Sequence, residues 1–447
     1  MPAILHSPIS MSATSSLAGK NITVIGLGRF GGGIAVSRWL AEQGANVLVT
    51  DEASEEALSE SKAQLKDLVI EFHLGGHHDS DFTDADLIVA SPAVPPQSRY
   101  LQIARQNQIP ITTEIRLFIE RCPAPITGVT GTKGKSTTTA LLGEMLKTRY
   151  TTHVGGNIGR SLLFDLPNIK PYHQVVLELS SFMLEYLQET SWSPHIAVVT
   201  MIAPDHLDRH GSLDHYISAK KTLVEHQQPN DFAILNEDCR ECSTFAHASH
   251  AKVILFGLKN RKPFILRIPG PHNQLNAQAA FAAASALDIS WDDAQKAIAN
   301  FCGLPHRLEL VHEHRGIRYY NDSIATIPEA AAAALAAFPP KTVIQIVGGY
   351  DKGLSLNPLH AALGERAKAV LCIGQTGPSI ASAMGQAERL GSPAIYKCGD
   401  LATALKIART IATPGDTILL SPGCASYDQF KNFEDRGKAF TQLAQEP

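Results

Sequence analysis

The sequence predicts an α/β protein built from three domains. At 447 residues the chain is long enough for about three domains of ordinary size. Apolar runs typical of strands alternate along it with stretches of helical spacing, a pattern that favours parallel sheets covered by helices. Two glycine-rich loops, Gly26–Gly31 and Thr130–Ser136, each follow a predicted strand and precede a predicted helix. Loops of this kind hold phosphate groups in α/β proteins.

The composition limits the classes of function. Apolar residues make up 44% and charged residues 18% of the chain, as in ordinary folded domains. The net charge is only −4, which gives no support for sequence-independent binding to nucleic acid or to an anionic membrane. No apolar run reaches the roughly 18 residues of a membrane span, and the first 20 residues lack the regions of a signal peptide. We therefore expect a cytoplasmic monomer with small-molecule substrates, without membrane insertion and without a nucleic-acid partner.

The seven cysteines are sparse and odd in number, which argues against a disulfide framework. Four residues form a C-x2-C-x4-H-x2-H pattern: Cys239, Cys242, His247 and His250. Its central gap is far shorter than in zinc fingers, so a surface helix that carries Cys and His is favoured over a zinc site. Residues 1–19 are interpreted as a flexible tail, and Met11 is a second candidate start.

The first domain, residues 20–122, begins with a βαβ unit. Its parts are a strand, a glycine-rich turn, a helix and a second strand that ends in an acid: Ile22–Ile25, Gly26-x-Gly28-x-x-Gly31, Ile34–Gln43 and Asn46–Thr50, followed by Asp51. The glycines let the backbone approach a pyrophosphate, and the acid suits a ribose hydroxyl. NAD carries both groups, but so does a UDP-sugar, and both ligands remain open. A further strand, Leu87–Ala90, leads into a Pro-rich loop that could close over a ligand.

The second domain, residues 123–305, opens with a phosphate loop after the strand Pro125–Val129. The loop, Thr130–Thr137, lacks the first glycine of the strict pattern, because Val129 stands there. Its physical parts remain. Two glycines free the backbone to present N–H groups, a lysine can reach the outer phosphates, and a serine can ligate Mg²⁺. Four more strands are predicted: Gln174–Leu179, Ile196–Met201, Phe232–Asn236 and Lys252–Phe256. This is the pattern of a P-loop ATPase-type domain.

The third domain, residues 306–447, alternates strands and helices again. Three strands are predicted: Lys341–Val347, Ala369–Ile373 and Thr417–Leu420. Glu329–Phe338 is rich in alanine, the residue with the highest helix propensity, and two prolines follow it. The pattern predicts a Rossmann-like domain.

The stretch TGTKGKST resembles the phosphate loop of the Mur ligases, the ATP-dependent amino-acid-adding enzymes of peptidoglycan synthesis. The resemblance runs from about Lys20 to the end of the chain, and LSPGCASYDQFKNFEDRG resembles the glutamate-adding branch of that family. It implies a Rossmann-like nucleotide-sugar domain, a central P-loop ATPase-type domain and a C-terminal Rossmann-like domain that binds the amino acid. It also implies ATP and Mg²⁺ as cofactors, with UDP-MurNAc-L-Ala and glutamate as substrates.

The same resemblance implies a role for each of several residues. The ATP-binding residues would be Gly131, Thr132, Lys133, Gly134, Lys135, Ser136, Thr137, Asn273, Asn276, Arg307 and Asp322. The UDP-substrate would contact Gly28, Arg29, Phe30, Gly31, Asp51, Ser91 and Asn157. Glutamate would contact Thr326, Lys352, Ser426 and Phe433. The metal ligands would be Ser136, Glu178, His206 and Lys220 as a carbamate. The catalytic residues would be Lys135, His206 and Lys220.

The resemblance implies a reaction in which ATP activates a carboxylate as an acyl phosphate, which the amine of glutamate then attacks. Direct attack on a carboxylate would require oxide as the leaving group, and phosphorylation replaces it. Lys220 and Glu178 carry no such signal by themselves, since a lone lysine is most often a surface residue and a lone Glu can cap a helix.

The chain departs from the family pattern at two positions. Ile324 stands where the D-glutamate enzymes usually have lysine, and Met183 stands where they usually have Gln. A related subgroup that joins L-glutamate tends to lack that lysine. We expect D-glutamate as the family default, with L-glutamate as the alternative.

Two other classes remain as distant alternatives. An NAD(P)-dependent dehydrogenase would use only the first 51 residues and leave the phosphate loop unexplained. A non-enzymatic P-loop ATP-binding switch would leave the C-terminal stretch unexplained. Folylpolyglutamate synthase shares the ligase core but lacks a nucleotide-sugar domain.

Overall fold

The computed structural model describes residues 16–28, 31–385 and 392–446, which carry three β-sheets. The chain folds into two compact units. Met1–Arg261 with Asn276–Ala294 forms one, and Lys262–Leu275 with Gln295–Pro447 forms the other. The first unit holds the first two sheets and the second unit holds the third sheet. In the part of the chain that is described, no helix is long and apolar enough to cross a membrane.

The first sheet has five parallel strands in the order β3-β2-β1-β4-β5. Its strands are β1 Asn21–Ile25, β2 Asn46–Asp51, β3 Ile70–Leu74, β4 Leu87–Ala90 and β5 Ile111–Thr112. Its helices are α1 Gly32–Glu42, α2 Ser59–Ala63, α3 Arg99–Gln106 and α4 Glu114–Arg121. The strand order reverses between β1 and β4, and this leaves a crevice at their carboxyl ends where ligands bind in such sheets.

The second sheet has six parallel strands in the order β11-β10-β9-β6-β8-β7. They are β6 Ile126–Thr130, β7 Thr152–Gly156, β8 Gln174–Glu178, β9 Ile196–Val199, β10 Phe232–Asn236 and β11 Lys252–Phe256. The helices that follow are α5 Lys135–Leu146, α6 Ser181–Leu187, α7 Leu207–His210, α8 Leu213–Glu225, α9 Arg240–Ser243, α10 Pro271–Ser285 and α11 Trp291–Ile298. The central strand β6 lies between β8 and β9, so the ends of these three strands meet at one edge.

The third sheet has six strands in the order β12-β13-β17-β14-β15-β16, and only β12 and β13 pair antiparallel. They are β12 Glu309–His314, β13 Ile317–Asn321, β14 Val343–Val347, β15 Ala367–Ile373, β16 Ala394–Gly399 and β17 Thr417–Leu420. The helices are α12 Pro328–Ala336, α13 Asn357–Arg366, α14 Gly377–Gly385, α15 Leu401–Ile411 and α16 Phe433–Gln445. Short 3-10 helices occur elsewhere at Asp79–Phe82, Leu162–Asn168 and Thr244–Ala248.

The central strands are buried on both faces, as parallel sheets with helices on each side require. Every residue of β6, β8, β9, β14 and β17 is buried. Leu17 is also buried in the core of the first unit, at 5% exposure. Its burial corrects the expectation of a flexible tail up to residue 19. Residues 1–15 of that predicted tail, with Met11, lie outside the described residues.

The α/β fold class with three domains is confirmed. Several predicted strands agree to the residue with the structure, among them Leu87–Ala90, Phe232–Asn236 and Lys252–Phe256. The structure adds strands at the sheet edges, such as β7 and β12, whose glycines or charged residues hide the apolar pattern. The predicted limits at residues 122 and 305 stay predictions, and they fall in the loops before β6 and before β12.

Candidate active site

The phosphate loop joins the end of β6 to the start of α5. Gly134 caps α5 in a left-handed conformation, with φ 87°. Gly131 has φ 146°, and a Cβ atom there would overlap the hydroxyl oxygen of Thr200. Both conformations favour glycine, so these two positions let the chain turn tightly between strand and helix.

The segment that follows β9 braces this loop. The Thr200 hydroxyl donates to the carbonyl oxygen of Lys133 at 2.6 Å. The backbone N–H of Thr132 donates to Met201 O at 2.7 Å, and its hydroxyl accepts from the N–H of Ala203 at 2.9 Å. The loop is therefore held in place before any ligand binds, which lowers the cost of ordering it around a phosphate.

Two lysines converge on one carbonyl oxygen of the loop. Lys135 Nζ donates to Gly131 O at 3.1 Å and to Thr132 O at 3.0 Å. Lys220 Nζ, from α8, donates to Gly131 O at 2.9 Å. Lys220 is only 1% exposed. Burial, aided by the positive charge of Lys135, holds the pKa of Lys220 well below its usual value. The Lys220 amine therefore loses its proton far more easily than a surface lysine.

Glu178 ends β8 next to the phosphate loop and is 1% exposed. Its Oε1 accepts a hydrogen bond from Asn157 Nδ2 at 2.9 Å, whereas its Oε2 has no hydrogen-bond partner. A buried carboxylate oxygen without a donor is costly, and a cation would satisfy it. Magnesium takes one or two carboxylates together with phosphate oxygens, so this oxygen fits a Mg²⁺ ligand.

The described residues contain no group of three or more His, Cys, Asp or Glu side chains that could hold a metal ion. Mg²⁺ at this edge would thus need oxygens from other sources. The hydroxyl of Ser136, in the first turn of α5, and the phosphates of a nucleotide are of the right type. The negative charge of Glu178 raises the pKa of Lys220, against the larger effect of burial, so the two side chains interact electrostatically.

His206 lies at the start of α7, in a left-handed conformation with φ 50° and ψ 37°. Its side chain is 51% exposed and its Nε2 lies 3.7 Å from an oxygen of Asp205. The ring also packs against Phe182, with centroids 4.9 Å apart. The exposed ring is therefore open to a ligand. The negative charge of Asp205 also raises the pKa of Lys220, against the effect of burial.

In the first sheet, four of the predicted UDP-site residues, Gly28, Gly31, Asp51 and Ser91, lie around the carboxyl ends of β1, β2 and β4. Asp51 Oδ2 accepts from the backbone N–H of Gly28 at 3.0 Å. A Cβ on Gly26 would lie 2.8 Å from the Cβ of Ser91, so strand ends approach closely there. Gly31 caps α1 with φ 91°. Arg29 and Phe30 lie outside the described residues.

The turn after β3 contacts the end of β2 at this edge of the sheet, and the sequence analysis did not predict it. The N–H groups of Gly75 and Gly76 donate to Asp51 O at 3.0 and 3.1 Å. His77 Nδ1 lies 2.7 Å from the hydroxyl of Thr50, and burial lowers the pKa of His77. The paired glycines directly after an apolar strand were the signal that could have found this turn.

Of the two asparagines predicted to bind ATP, Asn276 lies against the phosphate loop, since a Cβ on Gly134 would overlap its Oδ1. Asn273 Nδ2 donates to Pro269 O at 2.6 Å. Both side chains are buried.

Asp322 follows β13 in the third sheet and is 5% exposed. Burial raises the pKa of its carboxyl to about 7. The N–H of Leu308 donates to one oxygen at 3.2 Å and the hydroxyl of Ser421 donates to the other at 2.7 Å. Arg307 is exposed, and its charge lowers the pKa of Asp322 slightly against the effect of burial.

A small cleft at the carboxyl edge of the third sheet brings together two of the predicted glutamate residues. It is lined by Thr326, Tyr350, Asp351, Lys352, Leu354, Leu356, Thr376 and Gly423–Ala425. Ser426 follows directly in the chain and is 2% exposed. Phe433 begins α16, and its carbonyl oxygen accepts from the hydroxyl of Ser323 at 2.8 Å. Ile324, the residue in place of lysine, is half-buried.

Arg436 connects the segments at this edge of the third sheet, and the sequence analysis did not identify it. It is 1% exposed, and burial lowers its pKa to about 10. Its guanidinium donates to Ser323 O at 2.9 Å and to the carbonyl oxygens of Cys424 and Ala425 at 3.1 Å. An arginine on a helix gives no signal of such long-range contacts.

Comparisons with known proteins identify the family of the chain. Family models match a Mur ligase MurD-like N-terminal domain at residues 20–113, a Mur ligase middle domain at 129–265 and a Mur ligase glutamate ligase domain at 306–424. Three domains of these types, with a phosphate loop in the middle one, define an ATP-dependent ligase fold. The chain belongs to the Mur ligase family.

Among its relatives are proteins named UDP-N-acetylmuramoylalanine–D-glutamate ligase. The protein from Roseiflexus sp. (strain RS-1) is 44% identical, over 96% of this chain and 99% of its own length. That from Anaeromyxobacter dehalogenans is 39% identical, over 97% and 99%. That from Symbiobacterium thermophilum is 36% identical, over 95% and 98%.

Solved structures agree on the fold. UDP-N-acetylmuramate-alanine ligase MurC from Thermotoga maritima is 22% identical and superimposes with a TM-score of 0.59, over 95% of this chain and 99% of that one. MurF from Acinetobacter baumannii is 18% identical with a TM-score of 0.55, over 83% of this chain and 93% of that one. At these identities the likeness concerns the fold alone.

Proposed function

We propose that the protein joins D-glutamate to UDP-N-acetylmuramoyl-L-alanine with ATP, through an acyl phosphate, in peptidoglycan precursor synthesis. The observation that supports the ATP-dependent chemistry is the meeting of Lys135, Lys220 and the unpartnered oxygen of Glu178 around one phosphate loop. The names of its full-length relatives support the acceptor and the choice of D-glutamate.

In this proposal the phosphate loop holds ATP and Lys135 neutralises charge on the outer phosphates. The γ-phosphoryl group passes to the carboxylate of the L-alanyl residue, and ADP leaves. The amine of glutamate attacks the resulting acyl phosphate, and phosphate departs from the tetrahedral intermediate. Catalysis then consists mostly of positioning and charge stabilisation.

Ser136, Glu178, His206 and Lys220 would hold Mg²⁺. When bound, Mg²⁺ neutralises the phosphate oxygens that Lys135 does not reach. The easily deprotonated amine of Lys220 is the form that reacts with CO₂, because only the neutral amine has a free electron pair. Its carbamate would replace a positive charge with an oxygen ligand beside Glu178.

Asn157 connects the substrate to this site. Its side chain donates to Glu178 Oε1 at 2.9 Å and its backbone N–H donates to Glu178 O at 2.8 Å. In the proposal Asn157 contacts the sugar-peptide, while Gly28, Gly31, Asp51 and Ser91 hold the UDP. Arg29 and Phe30 keep their predicted place in that site.

Thr132, Lys133 and Thr137 of the loop belong to the proposed ATP site, with Asn276 against the loop. Asn273, Arg307 and Asp322 keep the ATP-binding roles that the family resemblance implies. Glutamate would bind in the cleft that Thr326 and Lys352 line, with Ser426 and Phe433 beside it. A lysine supplies the positive charge that a dicarboxylate requires.

L-Glutamate is the second candidate amino acid, and Ile324 is the observation that favours it. An apolar side chain here removes the cation that the D-glutamate enzymes usually carry next to the amino-acid and phosphate sites.

The test is a reaction of the purified protein with ATP, Mg²⁺, UDP-N-acetylmuramoyl-L-alanine and D-glutamate. We expect ADP, phosphate and the amide product in equal amounts, with phosphate release that requires all substrates. Lys135→Ala should abolish turnover, whereas Lys147→Ala, an exposed lysine that pairs with Glu144 near the end of the same helix, should not. Near-normal turnover in Lys135→Ala would refute the proposed site. Nucleotide binding without any product would favour an ATP-binding switch.

A further inference from the structure

Two cysteines lie beside the segment that braces the phosphate loop. Cys239 precedes α9 and Cys242 lies within it, and the N–H of Cys242 donates to Cys239 O at 3.1 Å. Cys242 is fully buried, whereas Cys239 is partly exposed. Residues three apart at the start of a helix have Cα atoms roughly 5–6 Å apart, the separation that a disulfide bridges.

The sulfur of Cys239 is in an environment that stabilises a thiolate. The N–H of Ile202 donates to it at 3.3 Å. The neighbouring thiol of Cys242 is the main reason why the pKa of Cys239 falls to about 6, and the carboxylate of Glu241, 3.6 Å from the sulfur, acts in the opposite direction. The neighbouring sulfur of Cys239 and burial raise the pKa of Cys242. The pair therefore consists of an accessible nucleophile and a buried thiol within its reach.

In the described part of the chain, these cysteines do not lie in a cluster of metal-ligating side chains. Cys239 and Cys242 do not combine with His247 and His250 into a group that could hold a metal ion, and all four residues are described. The C-x2-C pattern thus needs another interpretation. In a βαβ protein with free thiols, it is typical of a redox-active pair.

The pair is coupled to the ATP site through three consecutive residues. Ile202, which donates to Cys239, lies between Met201 and Ala203. Met201 O accepts from the N–H of Thr132, and the N–H of Ala203 donates to the hydroxyl of Thr132. Any change at the Cys239 sulfur therefore acts on the backbone that positions the phosphate loop.

We propose that Cys239 and Cys242 form a reversible disulfide by exchange with a small-molecule disulfide, and that this bond loosens the brace on the phosphate loop. The Cys239 thiolate attacks one sulfur of the small disulfide and releases a thiolate, which leaves a mixed disulfide on Cys239. Cys242 loses its proton to water and attacks the Cys239 sulfur, which releases the second small thiolate. The two small thiolates take up from water the two protons that the cysteines gave up. The two cysteines are oxidised by two electrons and the small disulfide is reduced to two thiols.

Formation of the disulfide weakens Cys239 as a hydrogen-bond acceptor, since a disulfide sulfur carries no negative charge. Ile202 then keeps a partly buried N–H with a poor partner, and its neighbours shift. We expect the KM for ATP to rise roughly fivefold, the effect of losing about one hydrogen bond. This consequence rests on the proposed ATP-dependent function, whereas formation of the disulfide does not.

The experiment incubates the full chain with oxidised glutathione, alkylates the remaining thiols and measures peptide masses. We expect the peptide with Cys239 and Cys242 to lose two hydrogens, and dithiothreitol to restore them. In Cys242→Ala we expect a glutathione adduct on Cys239 instead. Cys372 and Cys398 are the internal control, because burial raises their pKa values to about 12 and about 11, and they should stay reduced.

Cys239→Ser tests the link to ATP. Its hydroxyl can still accept from Ile202, so oxidised glutathione should leave the KM for ATP of this variant unchanged. Failure of the native pair to lose two hydrogens would overturn the proposal. An unchanged KM for ATP in the fully oxidised protein would overturn the coupling, and would leave the ligase assignment intact.

Discussion

Lys220 donates a hydrogen bond from its side-chain nitrogen to the carbonyl oxygen of Gly131 at 2.9 Å, across 89 positions of sequence. Lys135, on the loop itself, donates to the same oxygen. Burial disfavours the charge of Lys220, and repulsion from the nearby ammonium group of Lys135 disfavours it further. The arrangement favours a lysine that gives up its proton, and a neutral amine is the form that can become a carbamate.

This relationship makes the stability of the protein depend on pH. The pKa of Lys220 is lower in the folded protein than its value of 10.5 in the unfolded chain. The unfolded state therefore binds more protons between these two values, and the free energy of unfolding rises with pH in that window. The rise can reach about 1.4 kcal/mol per pH unit. Lys220→Met removes the titrating group, so its slope should be shallower.

Urea unfolding of the ligand-free protein at about pH 7.5 and about pH 9.5 measures this difference. Lys221→Met is the matched control, because it removes the same charge from a neighbouring, less buried position. It should keep the slope of the native protein. Equal slopes in the native protein and Lys220→Met would show that the pKa of Lys220 is not depressed.

Glu178→Gln tests the metal assignment. The amide is a much weaker magnesium ligand than a carboxylate, so the Mg²⁺ concentration for half-maximal activity should rise roughly tenfold or more. Without Mg²⁺ the free energy of unfolding of Glu178→Gln should equal or exceed that of the native protein, because the substitution removes an unsatisfied buried charge. Magnesium titrations and urea unfolding give both values. Glu144→Gln, on the surface, is the control, and an unaltered Mg²⁺ requirement in Glu178→Gln would contradict the assignment.

Much of the fold could be predicted from the sequence, because the buried parallel strands are short apolar runs between helices. β4 and β10 show this clearly. The edge strand β7, with sequence THVGG, carries no such run and depends on pairing with β8. Residue types and spacing indicated the phosphate loop, and the predicted strand Gln174–Leu179 ends one residue beyond Glu178, the last residue of β8.

The remaining parts of the site depend on contacts between distant positions. Thr200 braces the loop from 67 positions away, and Arg436 reaches Ser323 across 113 positions. Neither residue belongs to a local pattern. Their roles depend on the order of the strands in the sheets. That order places β9 beside β6, and β13 beside β17.

Gly131→Ala should disable the phosphate loop. The residue has φ 146°, and its new Cβ would overlap the hydroxyl of Thr200, so the loop must move. We expect a drop in Tm of several degrees, which corresponds to about 1–3 kcal/mol, and loss of ATP-dependent activity. Gly364→Ala, on α13 with open space around the new Cβ, is the control and should retain both. Calorimetry and phosphate release measure the two effects, and normal activity in Gly131→Ala would show that the loop is not so constrained.

Arg209 should position the loop that follows Ser91. Its guanidinium donates to Ala93 O at 2.8 Å and Val94 O at 3.1 Å, while it pairs with Glu185 at 3.0 Å. The Arg209 and Glu185 side chains are only 11% and 14% exposed, so the pair is well shielded from solvent. We expect Arg209→Ala to raise the KM for the UDP-substrate about tenfold or more, with a smaller change in the KM for ATP.

The control for Arg209 is Arg105, which donates to Pro96 O in the same loop and forms an exposed pair with Glu189. Arg105→Ala should change either KM little, because an exposed ion pair contributes about 0–1 kcal/mol. Initial rates with each substrate varied in turn give the values. Equal increases in both KM values for Arg209→Ala would indicate general loss of structure.

The most direct test of the central claim is the rate of amide formation from UDP-N-acetylmuramoyl-L-alanine and ATP, measured with D-glutamate and with L-glutamate. We expect product and equimolar phosphate with D-glutamate, and little with L-glutamate. Ile324→Lys should then retain the preference for D-glutamate. Product with L-glutamate alone would contradict the choice of amino acid and identify Ile324 and its neighbours as the place to examine. No product with either would contradict the proposed ligase activity itself.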